Sequence, residues 1–194
     1  GQQKLVSELA KTGKPVIALV MCGRPVIFNE IREHADAVLC TWWLGSEAGN
    51  AICNVLWGEY NPSAKLPMTF PAHVGQIPIY YQNKSTGRPT ALKQTYKASY
   101  IDASTEPAYP FGYGLSYTDF GYSDLKLLPG KAAGVHTEVS VKVTNTGKCA
   151  GEEVVQLYVQ DKVASVTRPI KELKGFRKIH LNVGESKTVA FQIT

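Results

Sequence analysis

WWLGSEAGN, Trp42 to Asn50, decides how the chain is read. It closes an apolar run, turns at Gly45 and opens a helical pattern with Ser46 and Glu47. A strand-to-helix corner of this kind is where open α/β sheets place their ligands. It is also an ordinary helix start, because acidic residues favour the positive end of the helix dipole.

Upstream, Gln2 to Lys11 puts Leu5, Val6 and Leu9 on one helical face, and Gly13 follows as a stop. Pro15 to Met21 is a continuous apolar run, the pattern of a strand buried on both faces. Gly23, Arg24 and Pro25 break it, and Val26 to His34 reads as a short apolar entry and a helix. Ala37 to Trp43 is the second apolar run. Ser46 to Trp57 is a helix expected to bury Ala48, Ala51, Ile52, Val55 and Leu56 before Gly58 ends it. Helix, strand, helix, strand, helix implies parallel strands with crossover connections. Two strands are few for such a sheet, so further strands are expected from elsewhere.

Three prolines between Asn61 and Pro71 exclude a helix interior and predict an extended loop. From Ala72 to Pro110 the chain is polar and irregular, with Tyr80, Tyr81, Tyr96, Tyr100 and Tyr109 spread through it. The aromatic- and glycine-rich Tyr109 to Tyr117 reads as a packed junction before it reads as a sugar-stacking surface. After Thr118 the period changes to two. Phe120 to Leu128, Val135 to Asn145, Glu153 to Gln160, Lys171 to Leu181 and Lys187 to Ile193 are predicted strands. Val139, Val141 and Val143 face one way, and Ser140, Lys142 and Thr144 the other. Asn145-Thr146-Gly147 and Asn182-Val183-Gly184 are turn signals. This is the pattern of an immunoglobulin-like β-sandwich with five strands where about seven are usual, so a sandwich cut short at its C-terminal end is expected. The fold class is therefore α/β followed by all-β. The expected division is 1–71 for the α/β part, 72–118 for the linker and aromatic junction, and 119–194 for the sandwich.

Composition narrows the function. At 44% hydrophobic and 19% charged, the 194 residues have a globular balance. The net charge of +5 is scattered, with its densest cluster at Lys171, Lys174, Arg177 and Lys178; this is better read as strand-edge protection than as a nucleic-acid surface. No apolar run spans a bilayer. Cys22, Cys40, Cys53 and Cys149 form no C-x-x-C pair and are expected as free thiols, three of them inside apolar segments. His34, His73, His136 and His180 lack ligand spacing, and neither a metal nor a cofactor is implied.

Parallel neighbouring strands ending near Cys22 and Trp43 would bring Arg24 and Glu47 to one crevice. Glu47 then either holds the corner, on helix N–H groups or on Arg24, or shapes a sugar-sized pocket with Trp42 and Trp43. Ser46 or Gly45 is expected to cap the turn. Known nucleophile, metalloprotease and phosphate-loop patterns are absent. Glycoside hydrolysis needs two carboxylates flanking the bond. Glu30, Glu33, Glu59 and Asp102 are more simply solvated surface, and Glu152 and Glu153 fall on opposite faces of a strand.

The segments GKPVIALVMCGRPV (Gly13–Val26), WWLGSEAGNAICNVLWGEYNPSAKLPMTFP (Trp42–Pro71), YPFGYGLSYTDF (Tyr109–Phe120), VTNTGKCAGEEVVQLYVQD (Val143–Asp161) and RPIKELKGFRKI (Arg168–Ile179) resemble glycoside hydrolase family 3, in the family's order and over nearly the whole chain. The likeness is strongest to its periplasmic β-glucosidases. The resemblance implies a longer retaining enzyme: a (β/α) barrel with the nucleophilic Asp, an α/β-sandwich domain with the acid/base Glu, and a fibronectin-III-like sandwich. This chain would hold the end of the second domain and most of the third, without either catalytic carboxylate. Glu47 falls in the family's G-[ST]-E motif, which is distinct from the acid/base, so no catalytic residue is assigned. The candidate substrate-binding residues remain those read from the corner itself, Trp42, Trp43 and Glu47, with Arg24 and Ser46 holding it. The implied partners are a β-linked gluco-oligosaccharide or glucoside and the barrel domain of the same protein, with a homodimer left open and no nucleic acid or membrane span. The implied setting is the periplasm or the exterior. The other reading is a free-standing sandwich module that binds a carbohydrate or a protein.

Overall fold

The computed structural model describes residues 1–88, 98–129 and 137–193. Tyr96, Val135 and His136 lie outside the described residues. The chain divides into two compact units. One comprises 1–56, 67–81 and 88–111; the other comprises 57–66, 82–87 and 112–194.

The first unit is built on a parallel pair. Helix α1 (Gln2–Ala10), strand β1 (Ile17–Val20), helix α2 (Asn29–His34), strand β2 (Ala37–Cys40) and helix α3 (Ala48–Leu56) follow in that order. Val20 pairs with Cys40, and Ile17 with Ala37. The Asp36 carboxylate accepts the Val16 N–H at 2.8 Å, fixing the entry to both strands. The expectation of burial on both faces fails. Val20 is buried, whereas Ile17, Leu19 and Met21 are exposed on alternate positions. A two-stranded sheet has cover here on one face only, and strand alternation sends every second apolar side chain to the other. The stripe on α3 is likewise only half-buried at Ile52, Val55 and Leu56, with Ala51 and Cys53 exposed. Cys53 therefore does not act as a buried hydrophobe.

What the sheet lacks in apolar cover, an aromatic cluster supplies from the loops. Phe70, 1% exposed, meets Phe28 edge-on at 5.8 Å and the Trp42 ring at 5.6 Å. Tyr109 stacks on Phe28 at 6.0 Å. Phe70 also exchanges backbone hydrogen bonds with the Ala108–Tyr109 segment, at 2.8 Å to Tyr109 and 2.9 Å from Ala108. Buried Gln76 ties the long irregular region together: its Oε1 accepts the Ala72 N–H at 2.6 Å, and its Nε2 donates to the Ser104 and Glu106 carbonyls. These bonds satisfy backbone groups of Ala72, Ser104 and Glu106 in a segment without long regular elements.

The second unit is the sandwich. Strands β3 (Phe120–Pro129), β4 (Thr137–Asn145) and β7 (Ser186–Ile193) form an antiparallel sheet in the order β3-β4-β7, and β5 (Gly151–Val159) pairs with β6 (Glu172–Leu181). All five predicted strands are present. The register sets Val139 against Phe191 and Val141 against Val189. Val143, Val189 and Phe191 from one sheet meet Val155 and Leu181 from the other in the core. Among the described residues strand β3 pairs with β4 alone; it is bulged between Ser123 and Lys126, where Asp124 has φ of 53°. Bulges of this kind blunt an exposed sheet edge.

Polar groups join the sandwich to its flanking loops. Gly112, at φ of 81°, occupies a conformation that favours glycine, and its carbonyl accepts Gln156 Nε2 at 3.1 Å. Glu152 and Glu153 alternate as expected. Glu152 faces outward and accepts Lys178 Nζ at 2.6 Å and the Tyr60 hydroxyl at 2.9 Å; the Lys178 bond holds its carboxyl below the usual range. Glu153 is buried with Val155. It takes the Lys65 ammonium at 3.2 Å and the Tyr122 hydroxyl at 2.9 Å.

Removal from water and the facing Glu153 carboxylate push the Tyr122 phenol upward. A raised folded-state value stabilises the fold fully below the unfolded value of about 10, and that contribution is lost as pH rises through the folded value. Tyr122→Phe is therefore expected to flatten the alkaline fall in stability, measured by denaturant unfolding from pH 9 upward. An unchanged alkaline limb would dismiss the Tyr122–Glu153 coupling.

Candidate functional site

Two parallel strands end on the same edge, so the segments after β1 and β2 emerge together. Met21 to Arg24 leaves one strand; Thr41 to Glu47 leaves the other. Thr41, buried, donates its N–H to the Val20 carbonyl at 3.1 Å and carries the pairing one step past the strand. Then the chain swings sharply. Trp42 has φ of 55°, rare for a bulky residue without functional or packing compensation. That swing sends the half-buried Trp42 ring toward Phe70 and leaves Trp43 80% exposed.

Trp43 is exposed yet placed. Its indole lies over Gly23, close enough that a Cβ built there would stand 3.3 Å from the ring. A methyl group at Gly23 would press on the indole, which would have to give by a few tenths of an ångström. The ends of both strands thus form one corner that presents a flat apolar ring to its surroundings.

Glu47 precedes α3. Its carbonyl accepts the Ala51 N–H at 3.0 Å, and its carboxylate accepts the Asn50 side-chain amide at 2.7 Å. The turn before it closes through the Ala48 N–H on the Gly45 carbonyl at 3.1 Å. Among the described residues, Glu47 makes no ion pair with Arg24, and no side-chain bond of Ser46 caps the helix. Arg24, Ser46 and Glu47 are all exposed. The carboxylate is held by Asn50, leaving the guanidinium of Arg24 clear of it.

Phe70 and Gly23 build the corner against Trp42 and Trp43, and the sequence reading did not single them out for it. Phe70 sat among prolines in a predicted loop, and its one clue was being the sole aromatic there. Gly23 had been assigned to a strand break rather than to a floor for an indole. The Glu47–Asn50 contact was available from their three-residue spacing.

Residues 1–117 match the glycosyl hydrolase family 3 C-terminal domain, and 153–194 match a fibronectin type III-like domain. The chain belongs to glycosyl hydrolase family 3. A periplasmic beta-glucosidase of Salmonella typhimurium is 50% identical over 99% of this chain and 26% of its own length. A beta-xylosidase of Formosa agariphila is 48% identical over 99% of this chain and, again, 26% of its own. The crystal structure of a beta-glucosidase from Listeria innocua in complex with glucose superposes with a TM-score of 0.93 at 43% identity, covering all of this chain and 27% of that one. The chain thus spans about a quarter of the length of the relatives it matches. No helix among the described residues is long and apolar enough to cross a membrane.

Proposed function

We propose that this chain is the C-terminal part of a retaining β-glucosidase that removes terminal non-reducing β-D-glucosyl residues in the periplasm or outside the cell. The observation that supports it is the 50% identity to the Salmonella periplasmic beta-glucosidase along nearly the whole chain. The substrate is a β-linked gluco-oligosaccharide or glucoside, and the partner is the barrel domain of the same protein. The α/β part at 1–71, the junction at 72–118 and the sandwich at 119–194 are the working division of this reading, and dimer formation stays within it.

Trp42, Trp43 and Glu47 border the sugar pocket, with Arg24 and Ser46 at the corner. A carbohydrate presents an axial C–H face that suits an exposed indole, while its hydroxyls suit a carboxylate. Both catalytic carboxylates lie outside this chain in this proposal, so the isolated 194 residues are expected to turn over no aryl β-glucoside. In the enzyme carrying the barrel, Trp43→Ala is expected to lower kcat/KM about tenfold, mostly through KM, as loss of one stacking contact does. Turnover by the isolated chain would overturn the division of labour; an unaltered KM would remove Trp43 from the pocket.

A second reading is a β-xylosidase, favoured by the 48% identity to the Formosa enzyme. Xylose lacks the C6 hydroxymethyl of glucose. A site that hydrogen-bonds that group rejects the shorter sugar strongly, because its polar partners are left unpaired. The kcat/KM ratio for aryl glucoside against aryl xyloside in the enzyme carrying the barrel separates the two.

A further inference from the structure

We propose, resting on the reading of Trp43 as a wall of the sugar pocket, that Gly23 is a positioning residue for sugar binding. It floors one face of the Trp43 indole and leaves the opposite face as the stacking surface. The contact is face-on. A Cβ built on Gly23 would stand 3.3 Å from Cε2, 3.4 Å from Cζ2 and 3.6 Å from Cδ2 of the indole. Cδ2 and Cε2 are the two atoms shared by the fused rings. An approach in the plane of the indole meets peripheral atoms first, so two shared atoms among the three nearest place Gly23 over the ring face. This explains how a ring that is 80% exposed is still held: one face lies on backbone and the other is open.

The floor is tied to the sheet. Val20 and Cys22, just before Gly23, are buried, and the Val20 carbonyl accepts the Thr41 N–H at 3.1 Å. The indole and its floor therefore leave two strands that are paired up to the corner. Gly23 is not among the glycines with positive φ, so its backbone accepts an L side chain without strain. The nearest atoms a new side chain meets are those of the indole. Substitution at position 23 thus acts on the height and tilt of the ring. Stacking is sensitive to both, since a gap of about 0.5–1 Å forfeits a quarter to a half of the dispersion attraction between two atoms.

The test uses the enzyme carrying the barrel, an aryl β-glucoside, and a side-chain series at position 23. Gly23→Ala, which moves the ring by a few tenths of an ångström, is expected to raise KM about twofold with kcat retained. Gly23→Val tilts the ring off its floor and is expected to raise KM about tenfold, matching Trp43→Ala. In the Trp43→Ala background both substitutions should leave KM unchanged, because the ring through which they act is gone. The near-ultraviolet circular dichroism band that Trp43→Ala removes should weaken in Gly23→Ala and vanish in Gly23→Val. If Trp43→Ala leaves KM unaltered, the pocket reading falls and this role of Gly23 falls with it. If Trp43→Ala raises KM while the position-23 series does not, or if the series raises KM equally in both backgrounds, the pocket reading stands and the positioning role of Gly23 is overturned.

Discussion

Phe70→Ala is expected to destabilise the first unit by about 3–5 kcal/mol, the range for deleting a buried aromatic ring. The side chain is 1% exposed and stands where three segments far apart in sequence converge. Phe28 approaches from the entry to α2, Trp42 from the swing after β2, and the Ala108–Tyr109 backbone from the end of the irregular region. Alanine would leave a cavity that none of these can fill alone, because each is also fixed elsewhere. Asn29, beside Phe28, donates its side-chain amide to the Ala72 carbonyl at 2.8 Å, and Trp42 is held in an uncommon backbone conformation. A two-unit chain need not unfold in one step, so amide hydrogen exchange at Phe70 and Ala108 is the appropriate measurement. Protection there should fall by more than a hundredfold, while the strands of the sandwich keep theirs. A loss of protection smaller than tenfold would mean that the ring is not the centre of this unit. Phe70→Leu retains much of the volume and is expected to recover more than half of the effect.

This dependence on Phe70 explains why the two units differ in legibility. The sandwich strands were readable because period-two alternation follows from backbone geometry alone. Val139, Val141 and Val143 alternate with polar residues, and they pair with Phe191, Val189 and Lys187. The parallel strands were equally readable as apolar runs. Their burial was not, since cover for Ile17, Leu19 and Met21 depends on what stands against the second face. At the corner, the order strand, turn, helix was legible, and so was the position of Glu47 ahead of the helix. The positive φ at Trp42 was not, because no local propensity favours it in a tryptophan. The sequence reading offered Glu47 helix N–H groups or Arg24 as partners; the Asn50 side-chain amide that its carboxylate accepts depends on side-chain direction, which spacing leaves open. The sequence put Glu152 and Glu153 on opposite faces of a strand without saying which of the two faces is buried. One residue of difference along a strand makes one of them an outward partner of Lys178 and the other a buried partner of Lys65.

Asn145 shows the same limit with larger consequences. In the sequence it announced a turn before Gly147. In the structure it is 1% exposed and uses its whole hydrogen-bonding capacity. Its Oδ1 accepts the Thr118 hydroxyl at 2.7 Å and the Gly147 N–H at 3.1 Å. Its Nδ2 donates to the Cys149 carbonyl at 2.8 Å and to the Leu181 carbonyl at 3.1 Å. Leu181 ends β6, so this one side chain joins the end of β4 to the opposite sheet. Asn145→Ala removes four bonds and leaves buried donors and acceptors behind, each costing about 1–3 kcal/mol when it finds no new partner. Water entering the small cavity repairs part of this, so a loss of about 3–4 kcal/mol is expected for the sandwich. Denaturant unfolding followed by hydrogen exchange at Val143, Val155 and Leu181 measures it. Thr118→Val, which removes a single donor, should cost about 1 kcal/mol. The double variant distinguishes a connected network from four separate bonds. With Asn145 gone, the Thr118 hydroxyl has already lost its acceptor, so Thr118→Val should then cost nothing or be stabilising. Strict additivity of the two substitutions would show that Thr118 acts independently of Asn145 and that the sheet junction does not depend on their bond.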